Sequence, residues 1–199
     1  MSRRAGLDKP TVVATAAALI NREGTAALSL KRLAEELGVQ TPSLYNHVEG
    51  LPGLERELAL LGVRRLGNAL TDAVIGKSGA AAAIALLDAY RAFINANPGL
   101  ATYTVRPAAV EAPDDVERVQ AEARIVHVAV AVVASFGLAG DDAIHAVRAL
   151  RSVAHGFATL EAAGGFGIPL DLDESFRRLA AMVIAGLAQW ATVQSVAGE

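Results

Sequence analysis

The chain has 199 residues, 53% of them hydrophobic, and a formal net charge of −3, enough for one or two compact domains with a sizeable core. It holds no cysteine, which excludes disulfide frameworks, thiolate metal sites and cysteine nucleophiles. Its start, MSRRAGLDKPTVV, shows no apolar stretch before a small-residue cleavage site, and no segment offers about 18 uninterrupted apolar residues, so the expectation is a cytoplasmic protein with no membrane partner.

Period-two alternation is rare, and Ala, Leu, Glu and Arg dominate, so the chain reads as all-α. A first helix is predicted from Lys9 to Glu23, with Pro10 in its first turn and Gly24 as its stop. Ser29 is the natural N-cap of a second helix, LKRLAEEL, and Gly38 its left-handed terminator. Thr41 caps a short third helix with Pro42 at its first position, ending near His47 or Val48.

A longer fourth helix begins at about Leu51, and GKSGAAAA marks a break before a fifth that runs to Asn97-Pro98-Gly99. Three of the seven prolines fall between Pro98 and Asp114, which reads as loop or broken helix and could be the mobile wall of a pocket. From Asp115 to Phe136 a helix turns apolar on all sides after His127, and its second half is expected to be buried all round. The next helix, from Asp141 or Asp142, carries two apolar stripes, one of them including Phe157 and Leu160. The last helix, from Asp173, carries Phe176, Leu179, Val183, Leu187 and Trp190. Two such helices at the end of a small domain suggest a homodimer joined as a four-helix bundle.

Helices two and three, joined through Gly38, have the arrangement of a helix-turn-helix. Ala34 permits a close crossing, Gly38 makes the turn, Val39 plugs it, and Leu44 with Val48 seats the second helix. Gln40, Thr41, Ser43, Asn46 and His47 are then left on the outer face and ends, with Tyr45 at the flank. Major-groove readout needs short amide and hydroxyl groups on a protruding helix, and phosphate anchoring needs hydroxyls, imidazole and backbone N–H groups. The charge distribution agrees: residues 1–65 hold nine Lys and Arg against seven Asp and Glu, and residues 66–199 hold nine against fourteen.

The run LSLKRLAEELGVQTPSLYNHVEGLPGL resembles the DNA-binding domain of the TetR family of transcriptional regulators, over about Pro10 to Leu58. The run RALRSVAHGFATLEAAGGFGIPLDLDESFRRL resembles one class of TetR-family C-terminal ligand-binding and dimerisation domain. The likeness implies that Thr41, Tyr45 and His47 touch the DNA backbone and that Gln40, Ser43 and Asn46 approach bases, with Ser29 and Pro42 at the two helix starts beside them. The family usually carries an aromatic residue after the His and a Lys three positions further on; Val48 and Leu51 stand there instead. Arg3, Arg4, Lys9 and Lys31 are the cations available to compensate.

The expected architecture is an N-terminal three-helix helix-turn-helix domain over 1–50, followed by a helical effector-binding and dimerisation domain over 51–199. Tyr103, Arg148, Arg151 and His155 are the candidate effector contacts, Arg148 and Arg151 either pairing with Glu161 or Asp142 or meeting an anionic ligand. His145 and His155 are ten positions apart, unlike helix-borne metal ligands at three or four, and no metal or other cofactor is expected. Ser152 before His155 has no evident acidic partner, and GGFG at 164–167 has no preceding strand, so no catalytic site is assigned. The function expected is a regulator, a repressor released from palindromic double-stranded DNA by a largely apolar small molecule. A helical small-molecule carrier or enzyme with a vestigial head is the alternative.

Overall fold

A computed structural model describes residues 7–105 and 108–197; Arg3 and Arg4 lie outside the described residues. Among the described residues every regular element is helical. In chain order these are α1 (Lys9–Glu23), α2 (Leu30–Leu37), α3 (Thr41–Leu44), α4 (Gly50–Val74), α5 (Gly79–Ala96), α6 (Pro98–Ala101), α7 (Ala108–Glu111), α8 (Val116–Ala134), α9 (Gly140–Ala162) and α10 (Leu172–Ala197). Two compact units result. The first joins residues up to 63 with 97–118, and the second joins 64–96 with 119 onward.

The first unit is built from well-punctuated short helices. Asp8 caps α1 by accepting a hydrogen bond from the Thr11 N–H at 2.8 Å, and Gly24, at φ +83°, returns its N–H to the Ile20 carbonyl. Ser29 Oγ accepts from the Arg32 N–H at 3.1 Å to start α2. Gly38 ends α2 at φ +66°, its N–H reaching Glu35 O and that of Val39 reaching Ala34 O at 3.0 Å. These two bonds make a Schellman motif, which needs the left-handed residue that glycine supplies cheaply. The core beneath gathers Ile20 from α1, Leu33 from α2, Leu44 from α3 and Leu58 from α4, all with no exposed surface.

Three expectations change here. The third helix stops at Leu44, with Gln40 rather than Thr41 as N-cap; Thr41 is its first residue. Beyond Leu44 the chain stays coiled as a turn, the N–H groups of His47 and Val48 both reaching the Leu44 carbonyl. After Asn97 the helix is broken, and its first piece, α6, packs on α1 instead of standing free as a pocket wall. At Gly99 a Cβ would fall 2.2 Å from the Ile20 carbonyl oxygen, so the backbones touch there as only glycine allows. Asn21 secures the contact, its Oδ1 accepting from the Leu100 N–H at 2.9 Å.

In the second unit α5 packs along α9, and α10 covers both. Leu87 of α5, Leu150 of α9 and Phe176 of α10 are almost wholly buried. Arg91 is the polar centre of this packing. It forms ion pairs with Glu161 and, at 2.8 Å, Asp173, and its guanidinium lies 5.3 Å from the Phe157 ring centroid and 4.9 Å from that of Phe176. Glu161 is therefore held by Arg91 and by Asn95 at 2.8 Å, and not by Arg148 or Arg151, for which a pairing with Glu161 was one of the alternatives read from sequence. The second half of α8 is not covered all round: Ala129, Val132 and Val133 are buried, whereas Ala131 and Ala134 are exposed.

Candidate nucleic-acid interface

The Schellman turn at Gly38 sets α3 across α2, and Leu44, with no exposed surface, pins it there. With Leu44 and Val48 turned in, the polar side chains of 40–47 have one direction left. Gln40, Pro42, Tyr45 and Asn46 are exposed, and Thr41, Ser43 and His47 are partly so. Tyr45 is 61% exposed, so its ring is presented rather than packed on α1. Among the described residues none of these seven makes a side-chain hydrogen bond within the chain. Their donors and acceptors are available to a partner.

The start of α1 is set by its Asp8 cap. The Thr11 hydrogen bonds hold the Asp8 carboxyl below its ordinary value.

The cations around this face are largely spoken for. Arg22 pairs with Glu23 and Glu36, and Arg32 with the same two carboxylates, at 2.8–3.1 Å. The hydrogen bonds to Glu23 raise both guanidinium values, and those from Arg22 and Arg32 lower that of Glu23. Lys9 Nζ lies 2.5 Å from Glu57 Oε1, so this cation, expected from sequence to compensate at the DNA, carries an ion pair within the chain. Ser29 spends its hydroxyl on the α2 cap. Lys31 is exposed on α2 and has no ion-pair partner among the described residues.

The expected effector residues divide between the units. Tyr103 belongs to the first, half-buried against its core. In the second, the Tyr90 hydroxyl lies 3.3 Å from His155 Nδ1, with the rings edge to face at 6.2 Å and 77°. Arg151, one turn before His155, acts on both. Burial pushes the Tyr90 hydroxyl up and the Arg151 charge opposes it; burial and then Arg151 hold His155 below its usual value. Arg148 is exposed and contributes nothing to this group. Tyr90 and Arg91 were missed from sequence. A hydroxyl on the face shared by Leu86, Leu87, Phe93 and Ile94 was the available signal for Tyr90; nothing local marks Arg91, whose partner Glu161 lies 70 residues away.

The expected dimer seam also needs correction. Phe157, Phe176 and Leu187 are already buried within one chain, and the Phe157 and Phe176 rings meet tilted at 56°, their centroids 5.0 Å apart. Leu179, Val183 and Trp190 are half-buried, while Leu160 and Met182 are exposed at 51% and 65%. Among the described residues no group of three His, Asp or Glu side chains is placed to hold a metal ion, and no helix is long and apolar enough to cross a membrane.

Residues 12–47 match the profile of bacterial regulatory proteins of the tetR family, and residues 83–183 that of the tetracyclin repressor-like C-terminal domain. An uncharacterized HTH-type transcriptional regulator of Bacillus subtilis (strain 168), YobS, is 34% identical over 188 residues, 94% of this chain and 96% of that one. A solved structure of a protein of unknown function from Rhodococcus sp. RHA1 superposes with a TM-score of 0.78 at 28% identity, covering 94% of this chain and 99% of that one. A TetR variant from Acinetobacter baumannii AYE, solved with minocycline, shares the fold with a TM-score of 0.70 at 23% identity, over 94% and 99% of the two chains.

Proposed function

Because the chain belongs to the TetR family of transcriptional regulators, we propose that it is a homodimeric repressor that leaves a palindromic operator when a small molecule binds its helical body. Residues 1–50 take the DNA in this reading, and residues 51–199 carry effector binding and dimerisation. Thr41, Tyr45 and His47 grip phosphates, Gln40, Ser43 and Asn46 approach base edges, and Lys31 adds one charge. The observation that carries the reading is the display of 40–47: a run of unspent polar side chains held outward by a fully buried Leu44.

The seam falls on the outward faces of α9 and α10. Leu160 and Met182 stand exposed there, and at Gly156 and Gly186 a Cβ would meet nothing within 4 Å, so nothing inside one chain asks for glycine. Tyr90, His155 and Arg151 form a polar group in the second unit besides the Arg91–Glu161 pair, suited to one polar or anionic group on a largely apolar effector. The minocycline complex of the Acinetobacter protein supports a ligand-binding role for a body of this fold. Release follows if the effector prefers the conformation whose two heads cannot span both half-sites.

The test is selection of duplexes from random-sequence DNA, followed by anisotropy titrations at two salt concentrations. An inverted repeat with half-sites roughly one helical turn apart is expected, bound by two protomers, more weakly at higher salt. Combined Tyr45→Ala and His47→Ala should cost at least about tenfold in affinity, two lost contacts at roughly 1 kcal/mol each. Recovery of no preferred duplex, or undiminished binding by the double variant, refutes the reading.

A further inference from the structure

Lys9 is the first residue of α1, next to the Asp8 cap, and is one of the cations of the N-terminal head that a phosphate of bound DNA would attract. Its Nζ is instead 2.5 Å from Glu57 Oε1 on α4, and the Glu57 side chain is largely covered, at 15% exposure against 50% for Lys9. A carboxylate so enclosed has little solvent to replace its partner when that partner leaves. Among the described residues the other cation on it is Arg56, whose Nη1 lies 2.9 Å from the same oxygen. Arg56 is itself engaged elsewhere: Nε and Nη2 lie 2.6 and 2.7 Å from the two carboxylate oxygens of Asp115, and Glu117 stands at 3.8 Å. Asp115 also accepts from the Arg118 N–H at the start of α8. Withdrawal of Lys9 would leave Glu57 on one nitrogen of a shared guanidinium, so the carboxylate holds the ammonium back.

We propose that Glu57 withholds Lys9 from the DNA backbone, leaving this chain with one phosphate contact fewer than its cations allow. The inference rests on the DNA-binding reading above. Glu57 is a positioning residue here: it acts on DNA only through Lys9. Its charge and the charges of Arg56 and Asp115 together set how tightly the head binds.

The salt dependence of binding to the selected duplex separates this role from a structural one. Glu57→Gln keeps the side chain's shape and removes its charge. It should tighten binding about two- to fivefold, the range of a single exposed ion pair, and steepen the slope of log K against log salt by about 0.9, one phosphate contact. Lys9→Met alone should change neither quantity. Lys9→Met combined with Glu57→Gln should return both to the unsubstituted values. Unchanged binding by Glu57→Gln overturns the proposal, as does equal tightening in the Lys9→Met background, which would mark a bulk charge effect. A weaker and shallower salt response from Lys9→Met alone overturns it too, since Lys9 would then already touch DNA. A protein that binds no duplex at all sinks the DNA-binding reading as well, so the two failures are distinct.

Discussion

Leu44 and His155 show how single side chains carry opposite kinds of information. Leu44 has no exposed surface and holds the displayed turn against α1 and α2. Leu44→Ala is expected to cost about 2–5 kcal/mol, the range for truncating a buried leucine, and to abolish DNA binding by loosening the turn rather than by removing a contact. Urea unfolding followed by circular dichroism measures the first effect; an unchanged midpoint would contradict it. His155 is held below its ordinary value by burial first and Arg151 second. The unfolded chain therefore takes up the proton more readily, and the stability of the fold falls as pH drops below the unfolded imidazole value of about 6.5. Glu161, held low by the hydrogen bonds of Arg91, keeps its contribution until pH falls below the ordinary carboxylate range of about 4. Between about pH 7.5 and 5.5, the ordinary range of imidazole titration, the urea midpoint should decline in the unsubstituted protein and decline less in His155→Gln. Parallel curves would show that burial of this imidazole has no energetic consequence.

Two contacts between elements decide how each unit holds together. In the first, the backbones of α6 and α1 meet at Gly99, and Ile20 cannot yield to a methyl group placed 2.2 Å from its carbonyl oxygen. Gly99→Ala should push α6 off α1, lose the Asn21 bond to the Leu100 N–H and destabilise by about 1–3 kcal/mol, the cost of overpacking. A variant of unchanged melting temperature would show that the contact is loose. In the second unit Arg91 ties α5 to α9 through Glu161, reaches Asp173 at the start of α10 and lies against two phenylalanine rings. Arg91→Met preserves bulk and leaves a largely covered Glu161 carboxylate with Asn95 alone. About 2–3 kcal/mol should be lost, below the 3–5 typical of a fully buried pair because this one is partly solvated. Double replacement of Arg91 and Glu161 by Met and Leu should recover most of it, a result that additive losses would contradict.

At the scale of the assembly, the seam proposed on α9 and α10 makes a distinction between two substitutions on one helix. Met182→Glu places charge on a side chain that is 65% exposed in the single chain; it should leave the fold intact and shift the sedimentation mass toward a monomer. Phe176→Ala, at a residue 2% exposed, should unfold the second unit, with a loss of about 3–5 kcal/mol. A Met182→Glu protein that stays dimeric would move the seam to another face.

The helical class, the caps at Ser29 and Gly38, and the outward set from Gln40 to His47 were legible in the sequence because each depends on spacing within a few residues. A period of 3.6, a hydroxyl before a helix and a glycine after it act locally, whatever surrounds them. What the sequence could not assign is every pairing across distance. Nothing near Lys9 announces Glu57, 48 positions on, and nothing near Arg22 announces Glu36 across the turn, so cations that read as available in the head are engaged with carboxylates once the helices pack. The same reason displaced the dimer stripe. Phe157, Phe176 and Leu187 have the periodicity of a seam, but periodicity marks a face that must be covered without saying by what, and only the tertiary fold decided that α5 and Arg91 cover much of it within one chain.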